Sequence, residues 1–125
     1  MSYIAESVTF TVEARPDRSR VVLVARGELD LATRPTLENA LDDLRRAGWD
    51  HILLDVRELS FIDSTGLSLL LATDRNATEH GWTFELTQGG PAVARMLEIV
   101  GMSERFRPAR DRPGVGVSVP ASTSC

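Results

Sequence analysis

The run Leu53-Leu54-Asp55-Val56 leads through Arg57-Glu58-Leu59-Ser60-Phe61-Ile62 into Asp63-Ser64-Thr65-Gly66, after which Leu67, Leu70 and Leu71 recur at helical spacing. An apolar run of strand length that passes through one loop into a helix restricts the chain to folds in which strands and helices alternate. Asp63 and Ser64 are both residue types that cap helices. The Ser64 hydroxyl therefore falls in or beside the first helical turn, where unpaired backbone N–H groups and the positive end of the helix dipole favour negative charge. Two readings follow: a site that would receive a phosphate, or a plain helix cap.

The rest of the chain keeps the alternation. Val8, Phe10 and Val12 alternate with Thr9, Thr11 and Glu13, the pattern of a half-buried strand, and Pro16-Asp17-Arg18-Ser19 reads as a turn. Val21 to Ala25 is a second, nearly all-apolar strand that stops at Gly27-Glu28-Leu29-Asp30, and the two should form a hairpin. A helix follows, with Thr33 and Arg34 near its start, Pro35 in its first turn and an apolar stripe of Leu37, Ala40, Leu41, Leu44 and Ala47; Gly48 ends it. Ile52 to Val56 is the third strand. The helix after Asp63 should run to about His80, with Gly81 beyond it. Trp82, Phe84 and Leu86 then mark a fourth strand, and Gly89-Gly90-Pro91 opens a last helix carrying Val93, Met96, Leu97 and Val100 and closed by Gly101.

The order is β-β-α-β-α-β-α: an α/β domain with a mostly parallel sheet of four to five strands, an N-terminal hairpin and about three helices. At 125 residues and 42% apolar content the chain suits one domain with a real core. Residues 1–106 should form it. From Arg107 to Cys125 the composition turns to Arg, Pro, Gly, Ser and Val without period, which reads as a flexible tail, with an added edge strand through Val115, Val117 and Val119 as the weaker reading.

Composition removes several functions. All 14 basic residues are arginine, so there is no lysine for a P-loop, a Schiff base or a response-regulator site. The single cysteine, Cys125, excludes an internal disulfide and paired-cysteine metal sites. A net charge of −4 with no basic stripe interleaved with aromatics argues against direct nucleic-acid binding. The first residues show neither a basic n-region nor an apolar h-region, and no apolar run could cross a bilayer, so a cytoplasmic protein without membrane contact is expected.

A right-handed crossover between parallel strands puts their following loops at the same end of the sheet, so Gly27-Glu28-Leu29-Asp30 should lie close to Asp63-Ser64-Thr65-Gly66. That edge gathers Glu28, Asp30 and Asp63, with Asp55 a further candidate. As a Mg²⁺ site it lacks the phosphate-cradling loop that would accompany one. As a hydrolase it lacks a G-x-S-x-G elbow, and His51 and His80 read as surface or capping residues. The Asp-Ser/Thr-Gly triplet of aspartic proteases has one residue between aspartate and glycine; here two intervene. What remains is a binding module, with no catalytic, cofactor-binding or metal-binding residue expected. Trp49 and Trp82 are assigned to packing.

Gly27-Glu28-Leu29-Asp30 followed by a helix, then Leu59-Ser60-Phe61-Ile62-Asp63-Ser64-Thr65-Gly66-Leu67, resembles the STAS-domain anti-sigma factor antagonists of bacteria. The resemblance runs from about Val8 to Phe106 and includes Gly90-Pro91-Ala92-Val93; the Arg- and Pro-containing tail departs from it. It implies a STAS-like fold and phosphorylation of Ser64 by a serine kinase that is also the anti-sigma factor. It also implies that the unphosphorylated form binds that kinase and frees the sigma factor, with a PP2C-type, metal-dependent phosphatase reversing the modification. The partner-binding residues expected on this basis are Glu28, Asp30, Asp63, Ser64, Thr65, Ser68 and Leu69. Asp30 reads equally as a turn residue, and Leu69 as either an exposed apolar anchor or a core residue. The alternative function is a STAS module holding a nucleotide or other small anion at the helix N-terminus after Asp63.

Overall fold

The computed structural model of the chain describes residues 3–6, 9–87 and 89–99. Strand β1 (Tyr3–Glu6) precedes β2 (Phe10–Asp17) and β3 (Arg20–Leu29). Helix α1 (Arg34–Arg46), β4 (His51–Ile62), α2 (Ser64–His80), β5 (Thr83–Leu86) and α3 (Pro91–Ile99) follow. The order expected from sequence holds from Phe10 to Ile99, and β1 adds a strand ahead of it. The five strands lie in sequence order across one sheet. Pairing is antiparallel for β1–β2 and β2–β3 and parallel for β3–β4 and β4–β5.

The hairpin is tighter than its composition suggested. Pro16 and Asp17 belong to β2, paired with Val21 and Arg20, and only Arg18 and Ser19 form the loop. Arg18 takes φ 63°, a positive φ of the kind that two-residue hairpin loops require. The alternating residues Phe10, Val12 and Ala14 of β2, Val21, Leu23 and Ala25 of β3, and Ile52, Leu54 and Val56 of β4 join Phe84 and Leu86 in one core. Successive right-handed crossovers in one direction place α1 and α2 on the same face. There α1 contributes Leu37, Ala40, Leu41 and Leu44, and α2 contributes Leu67, Leu69, Leu70 and Ala77.

The third expected strand is longer than its apolar run. β4 extends over 12 residues to Ile62, so the stretch from Arg57 to Ile62, taken from sequence as a loop, is strand. Its pairing with β3 slips twice, between Val24 and Arg26 and between Gly27 and Glu28. Each slip breaks the two-residue alternation that marks a strand in sequence. Both helix ends expected at glycine are found there: Gly48 and Gly81 have positive φ. Gly101 and the tail from Arg107 lie outside the described residues.

Candidate functional site

The ends of β3 and β4 meet at the carboxyl edge of the sheet, with Glu28 opposite Phe61 and Leu29 opposite Ile62. Leu29 and Ile62 point inward and are buried; Glu28 and Phe61 point outward. The Asp63 N–H donates to the Leu29 carbonyl oxygen at 3.2 Å, which fixes the entry into α2. Gly66 sits against the same residue: a Cβ there would lie 2.8 Å from Leu29 Cγ and 3.0 Å from the Leu29 carbonyl oxygen. Asp63 is the N-cap of α2, in extended conformation, and its carboxylate accepts the Gly66 N–H at 2.9 Å. Ser64 is thus the first residue of the helix. It is exposed, and among the described residues its hydroxyl has no hydrogen-bond partner.

The loop after β3 is built by Asp30 and Thr33. The Asp30 carboxylate accepts from the Ala32 and Thr33 N–H groups at 3.0 and 3.1 Å. The Thr33 hydroxyl donates to the Glu28 carbonyl at 2.6 Å and accepts the Asp30 N–H at 3.0 Å. Asp30 therefore organises its own turn. Thr65 is half-buried, and Ser68 is exposed one turn beyond Ser64, its hydroxyl donating to the Thr65 carbonyl at 3.3 Å.

Leu69 is corrected by the structure. It is only 3% exposed and belongs to the same hydrophobic core as Leu41 and Trp82, so it offers no surface anchor. α2 is covered by α1 as well as by the sheet, which widens its buried face beyond the Leu67, Leu70, Leu71 stripe. The large apolar side chains left exposed are two that the sequence pattern did not single out. Among the described residues the exposed large hydrophobics are Leu31, at 73%, and Phe61, at 47%, and both lie at this edge. Arg34 was also missed. Its Nη1 reaches from α1 to the Ser68 Oγ at 3.2 Å and the Thr65 carbonyl at 3.5 Å, which puts a cation beside what composition suggested was a wholly acidic edge.

The acidic residues do not converge. Asp30 bonds its loop, Asp63 caps α2, and Asp55 is held by Arg57, with Arg57 Nη2 2.9 Å from Asp55 Oδ2. Among the described residues no group of three or more His, Cys, Asp or Glu side chains could hold a metal ion. Burial pushes the Asp55 carboxyl up, but the side-chain and backbone hydrogen bonds from Arg57 and the Thr87 hydroxyl outweigh it and hold it below the ordinary carboxylate range. The histidines sit away from Ser64: His51 begins β4 and contacts Glu85, while His80 ends α2 and contacts the Asn76 carbonyl. Trp82 is buried, donates to Asn76 at 3.0 Å and is covered by the Arg45 guanidinium, in keeping with a packing role. No helix among the described residues is long and apolar enough to cross a membrane.

A family model described as "Mlab, STAS domain" matches residues 12–108. An anti-sigma-B factor antagonist of Staphylococcus aureus is 31% identical over 78 residues, which cover 62% of this chain and 72% of that protein. An anti-sigma F factor antagonist of Paenibacillus polymyxa is 30% identical over 89 residues, 69% of this chain and 76% of that protein. Among solved structures, an anti-sigma factor antagonist from Mycobacterium paratuberculosis superposes with a TM-score of 0.71 at 25% identity, covering 80% of this chain and 85% of that one. The antagonist SpoIIAA in its unphosphorylated form, at 21% identity and a TM-score of 0.67, shares the fold over 82% of this chain and 89% of its own.

Proposed function

We propose that this chain, which belongs to the STAS-domain family, is a non-enzymatic anti-sigma factor antagonist whose contact surface is the edge around Ser64. Unphosphorylated, it binds an anti-sigma factor that is also a serine kinase, and the sigma factor is released. Relatives named as antagonists support the class of partner. The observation that carries the reading is the state of Ser64: exposed, its hydroxyl without a partner among the described residues, on a helix start fixed by Asp63 and Leu29 and flanked by exposed Phe61 and Leu31. A kinase substrate needs such a positioned hydroxyl, and a protein interface needs apolar anchors next to it.

In the switching step the Ser64 Oγ forms a bond to the γ-phosphorus of ATP, the bond from that phosphorus to the bridging oxygen breaks, and ADP leaves. The hydroxyl proton passes to the kinase's catalytic base. A PP2C-type phosphatase reverses it, water adding to phosphorus as the serine oxygen departs. The phosphate adds about −1.5 to −2 charge beside Glu28 and Asp63. Like charges brought together at an interface cost several kcal/mol, so an affinity in the micromolar to nanomolar range should fall by about a hundredfold or more. The cycle operates in the cytoplasm, with no direct nucleic-acid or membrane contact by this chain.

A free nucleotide or small anion is less well served by the same place. The Asp63 carboxylate already takes the Gly66 N–H and sets a negative charge against an incoming anion. A covalently attached phosphate does not depend on binding affinity to stay there.

The test is affinity capture from extract of the source cells with wild type, Ser64→Ala and Ser64→Asp, followed by mass spectrometry. Recovery of a small ATP-binding serine kinase by wild type and Ser64→Ala, with loss by Ser64→Asp at unchanged circular dichroism, supports the reading. Equal recovery by all three, or no kinase with any, overturns it.

A further inference from the structure

Arg34 opens α1, yet its guanidinium lies against the first turns of α2. Nη1 is 3.2 Å from the Ser68 Oγ and 3.5 Å from the Thr65 carbonyl oxygen. The carboxylate recorded near it is Glu38, with Nε 3.8 Å from Oε1, beyond hydrogen-bonding distance. A guanidinium is a planar fork of five donors matched to the paired oxygens of carboxylate or phosphate. Here its hydrogen bonds go to two neutral oxygens, and the Glu38 carboxylate is held only in a looser ion pair. The Ser68 Oγ is itself already donating to Thr65.

Ser64 stands one turn before Ser68 on the same helix, and side chains four apart lie side by side, their Cβ atoms about 5–6 Å apart. A guanidinium on the Ser68 hydroxyl is thus one side-chain rotation from a phosphoryl group on Ser64 Oγ. With its side chain 29% exposed, Arg34 has room to make that rotation. The helix dipole alone would act on any residue at the start of any helix; a cation delivered from α1 is particular to this pairing of elements. We propose that Arg34 is the intramolecular receptor of the Ser64 phosphate. On phosphorylation its guanidinium leaves Ser68 and Thr65 and takes the phosphoryl oxygens, tying the start of α1 to the start of α2. The proposal rests on Ser64 being the modified residue, and it adds what the phosphate binds within the chain. The phosphate is then neutralised in part on its α1 side and stays open toward Phe61 and Glu28.

The test uses the full chain made with phosphoserine in place of Ser64, so it needs neither kinase nor anti-sigma factor. The second ionisation of the phosphate, about pH 6 in an unstructured peptide, is followed by phosphorus NMR across pH. In wild type it should fall about one pH unit below its value in Arg34→Ala, as expected for an anion beside a guanidinium. Arg34→Lys should lie between the two, and added salt should shrink the difference. Ser68→Ala should keep the full shift, since Ser68 is the contact given up. Circular dichroism of the unphosphorylated variants checks the fold, with Arg34→Gln replacing Arg34→Ala should the latter not fold. Equal ionisation in wild type and the Arg34 variants overturns the proposal, as does loss of the shift in Ser68→Ala. Neither result bears on partner release, and a partner indifferent to the phosphate would leave the NMR shift in place.

Discussion

Replacing Gly27 with alanine should damage the protein more than any change on the surface around Ser64, and the cost can be built up in steps. Gly27 has φ +102°, outside the regions open to residues with a Cβ. Forcing alanine into a left-handed conformation costs about 1–2 kcal/mol. The added Cβ would also stand 2.0 Å from the Thr9 carbonyl oxygen and 3.2 Å from Phe10 Cα, both backbone atoms of the segment entering the neighbouring strand β2. That segment must retreat by more than an ångström where Phe10 pairs with Gly27, and the Glu28 N–H to Thr9 carbonyl bond of 2.9 Å is lost with it. The bond is worth about 1 kcal/mol and the overpacking about 1–3. The sum is about 3–6 kcal/mol against a total stability of about 5–15 for a domain of this kind. Gly48 supplies the control. Its φ is +100°, but a Cβ there meets nothing within 4 Å. Gly48→Ala should therefore show the backbone term alone. Urea denaturation of both variants, followed by far-ultraviolet circular dichroism, should place Gly27→Ala about 2–4 kcal/mol below Gly48→Ala, with similar slopes. Equal losses in the two variants would refute the close approach as the cause.

Two further outcomes are expected. The Asp55 carboxyl is held below its ordinary range, so its contribution to stability is complete above the unfolded-state pKa, near 3.8, and is lost as pH falls through the lower folded value. Arg57→Ala should cost about 1–2 kcal/mol at pH 7, since the arginine is partly exposed, and the gap from wild type should close in acid. A gap that stays constant down to pH 2 would show that Arg57 acts through packing alone. Phe61→Ala and Leu31→Ala should leave the melting temperature within a few degrees of wild type, because both side chains are largely outside the core. If this edge is the partner surface, each should weaken capture of the partner about tenfold or more; unchanged capture by the double variant would move the interface elsewhere.

What could be read from sequence follows the range of each interaction. The Asp63 cap, the helix ends at Gly48 and Gly81 and the alternating strand faces depend on residues within about four positions of one another, and all were legible. The last six residues of β4 were not, because two slips in pairing are properties of two strands together and appear in neither alone. Leu69 was ambiguous for a similar reason: whether it faces solvent depends on how closely α1 packs, and α1 lies more than twenty positions away. Arg34 escaped notice because the reach of a long side chain across a crossover has no periodic signature. Leu31 drew no assignment and Phe61 lay in a stretch taken as loop, so their exposure became visible only once the fold left them uncovered.

These ranges also say why the proposed switch can leave the fold alone. Every bond that shapes the edge bypasses the Ser64 hydroxyl: Asp63 holds Gly66, Asp30 holds Ala32 and Thr33, and the Leu29 carbonyl holds the Asp63 N–H. A phosphate on Ser64 would thus displace no partner of that hydroxyl, and the contact exchanged for it is the one Arg34 makes with Ser68 and Thr65. At the start of α2 it would gain about 0.3–1 kcal/mol from the helix dipole, and repulsion from the adjacent Asp63 is of similar size at an exposed position, so the two nearly cancel. A partner that buries the same charge has no such balance, because it must strip water from a dianion next to Asp63, at a cost of several kcal/mol. The asymmetry between those two sums is what would make Ser64 a switch of association with little effect on stability.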